Sequence, residues 1–572
     1  MNKICPETQR SRCVFLRPVF LFFSAPLRLC ASYHHSWRLG GESIKNRLSS
    51  VVSSCRRGEK YSASSVVNRP SFVPSCLRVF VRPRWGLLSL ALLFGGCMVG
   101  PNYHRPNIAM PARWSVAPVP RPAGRLPPSS VTTQATNLDT WWQRLKSPQL
   151  TSLIRQALAG NLNLQLAAAR VRQARAAMQI VAANLGPFVN AGASYQRSQA
   201  SADLTRPGQS TPPRDSYTTG LSGTWNLDLF GGVRRSVQAA QDSIEAAIDN
   251  QHNTQVALVG EVAADYITLR GVQQEIQVVR QTIRTQRRTV DLARLQVGAG
   301  FSTRLNIANA KALLAGVQSQ MPPLQIQQRQ LIYALSVLLG RSPGALVRQL
   351  SAPRAIPPVP PRVPIGLPAQ LLLRRPDVRS AERQLAAATA QIGAAEADLF
   401  PQITINGNLN FAAQNAANWF DSHSIAWGIG PNVSWAIFSS GQIQANIRQQ
   451  EFLRDQAYLT YRQTVLDALQ QVEDALIAYR QEQLHRLALG KAVVENRIAV
   501  KLSQELFRNG LTDFTNVLLA QSALLNSHSA LVQSNLALSN DLVSLYVALG
   551  GGWNAPVSSP PATRPATITK NR

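Results

Sequence analysis

The chain of 572 residues is 45% hydrophobic and 15% charged, with a formal net charge of +30. This composition is too apolar for a disordered chain, and no run of about 18 apolar residues predicts a transmembrane helix, so a membrane could be crossed only by strands closed into a barrel. The basic residues after residue 96 are dispersed, with no cluster of five or more, and we therefore expect no nucleic-acid partner.

All six cysteines lie within residues 1–97, and the last of them follows a secretion signal. Arg82 and Arg84 are basic, residues 85–94 form a short apolar region, and two glycines stand directly before Cys97. This order is typical of a lipoprotein signal peptide, although Phe94 stands where such signals usually carry Leu. We expect a covalent lipid on Cys97 and no other cofactor. The alternative is a plain signal peptide with an incidental cysteine.

Residues 1–80 do not fit any signal, and we interpret them as an over-extended reading frame. The segments after them follow changes in composition, above all Pro-rich stretches. We predict a signal peptide at 81–96 within a signal region 1–96, a lipid-anchored irregular segment at 97–147, a first repeat at 148–350, a Pro-rich linker at 351–366, a second repeat at 367–553 and a disordered tail at 554–572.

An internal repeat is the strongest pattern in the chain. Three residue pairs are each 210 positions apart: Trp225 and Trp435, Gly300 and Gly510, Gly340 and Gly550. An earlier pair, Pro187 and Pro401, is offset by 214. The sequence therefore predicts two structural repeats in one chain.

Each repeat has the same predicted order of elements. In the first repeat, the first helix is predicted at 148–184 and the two hairpin strands at 188–196 and 217–229. In the second repeat, the helix is predicted at 368–399 and the strands at 402–411 and 425–438. No proline occurs from residue 215 to 320 or from 432 to 555. A helix over 233–297 would be about 97 Å long at ~1.5 Å per residue. Part of it, from Leu269 to Val297, has coiled-coil spacing.

A glycine-containing turn ends each long helix and leads into a returning helix of about 40 residues. Both turns therefore lie at the end of the molecule far from the hairpins. Four strands cannot close a barrel, and open sheet edges are not tolerated in lipid. Several copies must pool their strands, and three copies give twelve.

Motifs spread along the chain resemble the TolC-type outer-membrane efflux family, in its NodT-like lipoprotein branch that serves resistance-nodulation-division (RND) pumps. The motifs are Cys97-Met98-Val99-Gly100-Pro101-Asn102-Tyr103, Trp141-Trp142, Leu373-Arg374-Arg375-Pro376-Asp377-Val378 and Leu545-Tyr546-Val547-Ala548-Leu549-Gly550-Gly551-Gly552-Trp553. The resemblance implies an α+β membrane protein. It would be a homotrimer with a twelve-stranded β-barrel, four strands per chain, continued by a long periplasmic α-helical barrel.

The resemblance also implies a function and its residues. The expected function is an export duct in outer-membrane lipid that passes small molecules such as drugs or metals when it is docked to a periplasmic adaptor and an inner-membrane RND pump. The adaptor would dock at Gly298, Gly300, Phe301, Gly510 and Leu511. The periplasmic gate would be formed by Asn306, Asn309, Asn516 and Leu519, where several family members carry aspartates that ring the entrance.

Three alternatives stay open at this point. The chain carries no nucleophile elbow, kinase motif or metal-ligand spacing of histidines, so we expect neither an enzyme nor a metal site. The outlet of a type I secretion system would share the fold. A surface coiled-coil adhesin would explain the heptads without the repeated hairpins. Arg374–Asp377 is interpreted as a helix start with Arg/Asp pairing.

Overall fold

The structure is a computed structural model. It describes residues 98–115, 130–132, 138–201, 203, 212–366, 368–370 and 374–554. The signal region, Cys97 and the tail from residue 555 lie outside these ranges, so the predictions made for them stay predictions. All described residues belong to one unit, Arg82–Arg572.

The described chain is mainly helical. A 3-10 helix spans Trp141–Leu145, and the α-helices are α1 (Pro148–Gly160), α2 (Leu162–Ala183), α3 (Gly232–Gly298), α4 (Arg304–Ser319), α5 (Met321–Leu338), α6 (Val347–Leu350), α7 (Pro376–Glu396), α8 (Gln442–Arg508) and α9 (Phe514–Ala548). The strands are β1 (Ser130–Thr132), β2 (Phe188–Ser198), β3 (Arg214–Leu227), β4 (Arg362–Pro364), β5 (Gln402–Ala413) and β6 (Ile425–Ser434). In the part of the chain that the structure describes, no helix combines the length and apolar composition that a membrane crossing requires.

The two predicted hairpins join into one antiparallel sheet in the order β2-β3-β5-β6. Phe188 pairs with Thr224, and Trp225 pairs with Ile405, so β3 and β5 connect the two hairpins. Strands β1 and β4 form a separate parallel pair. The sheet leaves β2 at one edge and β6 at the other.

Two helices of 67 residues, α3 and α8, extend from the sheet. Each would be about 100 Å long at ~1.5 Å per residue. The prediction of a long helix over 233–297 is confirmed within one residue at each end. The coiled-coil positions from Leu269 to Val279 are buried, and so is Gln286, the polar member of that series.

Two of the predicted helices are interrupted where the sequence indicated one continuous helix. The helix predicted for 148–184 is two helices, because the Asn161 side chain caps α2 by accepting from the Leu164 N–H at 3.0 Å. The returning helix of the first repeat breaks at Gln320, since α5 starts at Met321 with proline in its first turn. The prediction of a single returning helix of about 40 residues is therefore wrong there, whereas α9 is one helix of 35 residues.

Contacts between the helices define which helices are neighbours. Helix α7 contacts both α3 and α8, while α2 contacts α3. A core cluster joins α1, α3, α5, α8 and α9 to the 3-10 helix, and Trp141 stacks on Tyr546 with ring centroids 5.0 Å apart. At the start of α7, Arg375 pairs with Asp377 at 2.6 Å and donates to the Ala548 carbonyl at 2.8 Å. The segment predicted as a helix start therefore also fastens α7 to the end of α9.

Candidate functional site

The four-stranded sheet has one apolar face and one polar face. Side chains of one parity point to the apolar face, among them Leu221, Ile403, Ile405, Leu409, Phe411, Trp427, Ile429 and Val433. The residues that alternate with them point to the polar face, among them Ser222, Thr224, Asn226, Thr404, Asn406, Asn408, Asn410 and Asn432. Large side chains of the apolar face are exposed, which suits contact with lipid and not with water.

Aromatic residues lie at both ends of this apolar face. At one end Tyr217 contacts Tyr195 and Trp419, with ring centroids 4.9 and 5.2 Å away. At the helical end, Trp225 and Trp435 are related by the 210-residue repeat. Their indole N–H groups donate to backbone carbonyls, that of Leu185 at 2.9 Å and that of Leu399 at 3.0 Å. Two aromatic girdles around an apolar band are the pattern of strands that cross an outer membrane.

The turn after α3 is a Schellman motif closed by glycine. Gly300 has φ +78° and donates to the Val297 carbonyl at 3.1 Å, and the Phe301 N–H donates to the Gln296 carbonyl at 2.8 Å. A left-handed residue is required at this position, which explains Gly300. Gly298, in contrast, is the last helical residue and has open space around its Cα.

The turn after α8 repeats this geometry. Gly510 has φ +68° and donates to the Phe507 carbonyl at 3.1 Å, and the Leu511 N–H donates to the Leu506 carbonyl at 2.9 Å. The side chains that follow the two glycines are largely solvent-exposed, 86% for Phe301 and 71% for Leu511. Each turn thus presents one apolar side chain at the surface of the described chain.

The predicted gate residues lie just behind these turns. The Asn306 side chain donates to Ser302 Oγ at 3.0 Å, and the Asn516 side chain donates to Thr512 Oγ1 at 2.7 Å. Each asparagine therefore braces its own turn, and among the described residues the two side chains do not hydrogen-bond to each other. Asn309 is half-buried and Leu519 is exposed.

Sequence reasoning missed the contact that joins the two turns. Phe514, the first residue of α9, is buried against Val290 and Ala293 of α3 and Ala310 of α4, and its ring lies 5.1 Å from that of Phe507. The position 210 residues earlier is Arg304, so the repeat itself concealed this role. One helical turn deeper than this cluster, the side chains of Gln521 and Thr289 form a buried hydrogen bond of 3.1 Å. This cluster and hydrogen bond fix the start of α9 to α3.

Two half-buried carboxyl groups lie along the helices, far from the turns. Burial, together with the carboxylate of Glu261, raises the pKa of Asp265 to about 6. Burial and the carboxylate of Glu482 raise the pKa of Asp541 to about 6. Within the described ranges, no cluster of three or more metal-ligating side chains occurs.

Comparisons with known proteins agree with this geometry. The family model described as outer membrane efflux protein matches residues 153–341 and 367–551, more than half of the chain.

The chain belongs to the outer membrane efflux protein family.

The solvent efflux pump outer membrane protein SrpC of Pseudomonas putida is 33% identical over 465 residues, which cover 81% of this chain and 97% of the relative. Nodulation protein T of Rhizobium leguminosarum bv. viciae is 30% identical over 474 residues, covering 82% and 94%.

Solved structures show the same architecture. The outer-membrane channel OprN matches with a TM-score of 0.72 and 33% identity, covering 80% of this chain and all of that channel. CusC matches with a TM-score of 0.71 and 26% identity, again covering 80% and 100%. The predicted family and α+β fold are confirmed, and this member of the efflux family is an outer-membrane efflux channel. By name, SrpC is the outer membrane protein of a solvent efflux pump, and OprN is an outer-membrane channel.

Proposed function

We propose that this efflux protein is the export duct of a tripartite pump, built from three copies. The observation that carries the proposal is the continuity of the two-faced sheet with α3 and α8. Both unpaired sheet edges must be satisfied in lipid, and three copies pair them into a twelve-stranded barrel whose polar face lines a water-filled path. The long helices continue this path into the periplasm as a helical barrel.

The two glycine turns are the docking site for the periplasmic adaptor. Exposed Phe301 and Leu511 supply apolar contacts, and the strictly local hydrogen bonds of Gly300 and Gly510 keep both turns in the same shape. Since the two turns are equivalent, each copy offers two similar docking points. Gly298 lies beside the first of them.

The helices behind the turns form the gate. The cluster around Phe514 holds α9 against α3, and Asn306 and Asn516 stiffen the turns. Asn309, which is half-buried, and Leu519, which is exposed, lie one helical turn further along α4 and α9. Adaptor binding favours an open arrangement of α9 and shifts the balance between closed and open states. The energy for export comes from the inner-membrane RND-type pump, because the duct needs only to provide a path.

A lipid on Cys97 attaches each copy to the inner leaflet of the outer membrane. The described chain begins beside this point, and the Val99 N–H donates to the Phe230 carbonyl at 3.1 Å, directly between β3 and α3. The lipidated residue would therefore sit at the membrane boundary. In this proposal the chain consists of an anchor segment at 97–147, a first repeat at 148–350, a linker at 351–366 and a second repeat at 367–553.

A strain lacking its own outer-membrane efflux channels tests the function. We expect this gene, expressed together with its adaptor and pump, to restore resistance to an exported compound. The purified protein should conduct ions in planar bilayers as a trimer. Absence of conductance from a folded trimer would contradict the duct, whereas secretion of a large protein substrate without small-molecule export would favour a type I secretion outlet.

A further inference from the structure

We infer that α3 carries, close to its turn, a binding surface for an acidic helix of the docked partner, and that the second repeat lacks this surface. The inference rests on the proposed function, in which a periplasmic partner docks at the two glycine turns. It adds the chemistry of a contact beside the first turn. The two docking points of one copy then share a backbone shape but differ in the surfaces that flank them.

The two repeats differ in charge over their last helices. Residues 280–338 of the first repeat hold eight basic residues and one acidic residue, Asp291. Residues 490–548, which lie 210 positions later, hold four basic and four acidic residues. The turns within these two segments have the same hydrogen bonds and the same positive φ at glycine. The repeats therefore keep the fold here and differ in the charge of their side chains.

Half of the basic residues of the first segment lie in one line along α3. This line consists of Arg280, Arg284, Arg287 and Arg294, together with Asp291, and all five side chains are exposed. Their spacing of four and three residues places them on one face of the helix, over about 21 Å at ~1.5 Å per residue. We call this face the arginine stripe. Three of its arginines directly follow buried residues of the coiled-coil series, so the stripe runs along the edge of that packed seam.

The arginine stripe has little acidic company in the part of the chain that the structure describes. Its one ion pair there joins Arg294 to Asp291, with 3.1 Å between Nη1 and Oδ1. The Arg284 Nε–H donates instead to the neutral side-chain oxygen of Gln281 at 3.1 Å. Like charges three and four residues apart on a helix repel each other, so the stripe is destabilising unless a partner supplies carboxylates. This favours an acidic partner surface.

The second long helix does not repeat the arginine stripe. The residues 210 positions after its four arginines are Gly490, Val494, Arg497 and Gln504. Val494 is 52% exposed, so an apolar side chain stands where the stripe has Arg284. Further along α8, Lys501 already has a carboxylate partner in Glu505 at 3.9 Å. An acidic helix would therefore gain ion pairs on α3 that α8 does not offer.

The position and length of the arginine stripe indicate a helix as its partner. Arg280 lies about 70 Å from the start of α3 at ~1.5 Å per residue, too far for lipid headgroups around the sheet to reach. A small anion would be held by one or two guanidinium groups, whereas the stripe presents four at the spacing of a helix face. Glutamates spaced by three and four residues on a partner helix can each meet an arginine fork along this line.

A peptide probe tests the arginine stripe on the assembled full-length protein in detergent. The probe is a peptide of about 20 residues, long enough to form a helix, with glutamates spaced by four and three residues. The same peptide with glutamine in place of glutamate is the peptide control. We expect the wild-type protein to bind the glutamate peptide and not the glutamine peptide. The affinity should fall as salt is added, because exposed ion pairs are screened.

A pair of charge reversals in the arginine stripe should remove this binding. Arg280→Glu with Arg284→Glu should weaken binding of the glutamate peptide about tenfold, because two favourable ion pairs become repulsive contacts. Arg497→Glu with Lys501→Glu is the matched control, since it makes the same change in charge at the same spacing on exposed positions of α8. This control variant should bind the peptide as the wild-type protein does.

The outcomes separate this inference from the proposed function. Equal weakening in both variants would overturn the inference, because total charge and not the arginine stripe would then decide. Unchanged affinity in the stripe variant would overturn it as well, and an altered anion-to-cation permeability in that variant would place the arginines in the lumen. Ion conductance of the same preparations in planar bilayers reports on the duct. Conductance without peptide binding overturns only this inference, whereas a folded trimer without conductance contradicts the proposed function.

Discussion

Gly100 lies against Gly393 so closely that a Cβ atom on Gly100 would be 2.3 Å from the Gly393 Cα. The buried guanidinium of Arg235 holds this contact by donating to the carbonyls of Val99 and Gly100, at 2.9 and 3.0 Å, and to Asn102 Oδ1 at 3.0 Å. The segment next to Cys97 is thereby fixed between α3 and α7. We therefore expect a lipid on Cys97 to be held close to this contact and not on a loose tether.

Replacing Gly393 with Ala should detach this segment. A Cβ there would meet the Val99 carbonyl oxygen at 2.8 Å and Arg235 Nε at 2.9 Å, so we expect a loss of stability of about 1–3 kcal/mol. Gly490→Ala is the control, because Gly490 is also helical but has open space, and this change should stabilise α8 by up to about 1 kcal/mol. Thermal unfolding measures the stability of the two variants, and protease sensitivity near residue 100 reports whether the segment is detached. Equal behaviour of the two variants would contradict the close packing.

Replacing Gly510 with Lys should abolish export while trimer yield stays normal. A side chain in the left-handed conformation costs roughly 1–2 kcal/mol, and the added charge lies beside the apolar docking side chain of Leu511. Gly316→Lys is the control, since Gly316 is an exposed glycine within α4 that has open space around it and should tolerate the same added charge. Drug-resistance assays and adaptor cross-linking give the readout. If export continues at the normal rate with Gly300 and Gly510 both replaced, the docking site lies elsewhere.

The sequence correctly predicted those helices and turns whose positions are determined by nearby residues. Proline-free length predicted α3 to within one residue, and the glycines of both turns have the positive φ that their position requires. The break at Asn161 depends on a local cap of Leu164 and was missed because the helical composition continues across it; the Asn161 side chain also donates to the distant Leu338 carbonyl at 2.9 Å. Phe514 was missed for a different reason, since its burial depends on residues of α3 and α4 that only the folded chain brings together.

Mass spectrometry should find the mature N-terminus at acylated Cys97. The expected mass corresponds to a diacyl or triacyl cysteine followed by Met98. Cys97→Ser should reduce the amount of assembled protein in the outer membrane, because lipid attachment places the segment that Arg235 binds. Recovery of an unmodified Cys97, or of residues before it, would refute the lipidation.

Stability should depend on pH through Asp541. Its pKa is raised to about 6 by burial and by Glu482, whereas an unfolded aspartate titrates near 3.9. The folded state therefore binds more protons between about pH 4 and 6, and the free energy of unfolding falls as pH rises through that window.

Asp541→Asn removes this penalty. Allowing for solvent screening of a half-buried group, we expect this variant to raise the free energy of unfolding by about 1 kcal/mol at pH 7.5 and to leave it unchanged at pH 4. Thermal melts at both pH values measure it, with the exposed Asp291→Asn as control. A gain of the same size at both pH values would attribute the effect to packing and not to charge.

Truncation of Phe514 to Ala should open the gate. Phe514 is 2% exposed and, together with Leu518, packs α9 against Val290, Ala293 and Ala310 behind the turns. Removing a buried phenyl ring costs about 3–5 kcal/mol, and here the loss falls on the contact that fixes the start of α9 to α3. The balance then shifts toward the open arrangement without an adaptor, and single-channel conductance in planar bilayers should rise several-fold. Asn526→Ala, at an exposed position on the same helix outside the gate, should change conductance little. Unchanged conductance in a folded Phe514→Ala trimer would show that this cluster only braces the turns and does not hold the gate closed.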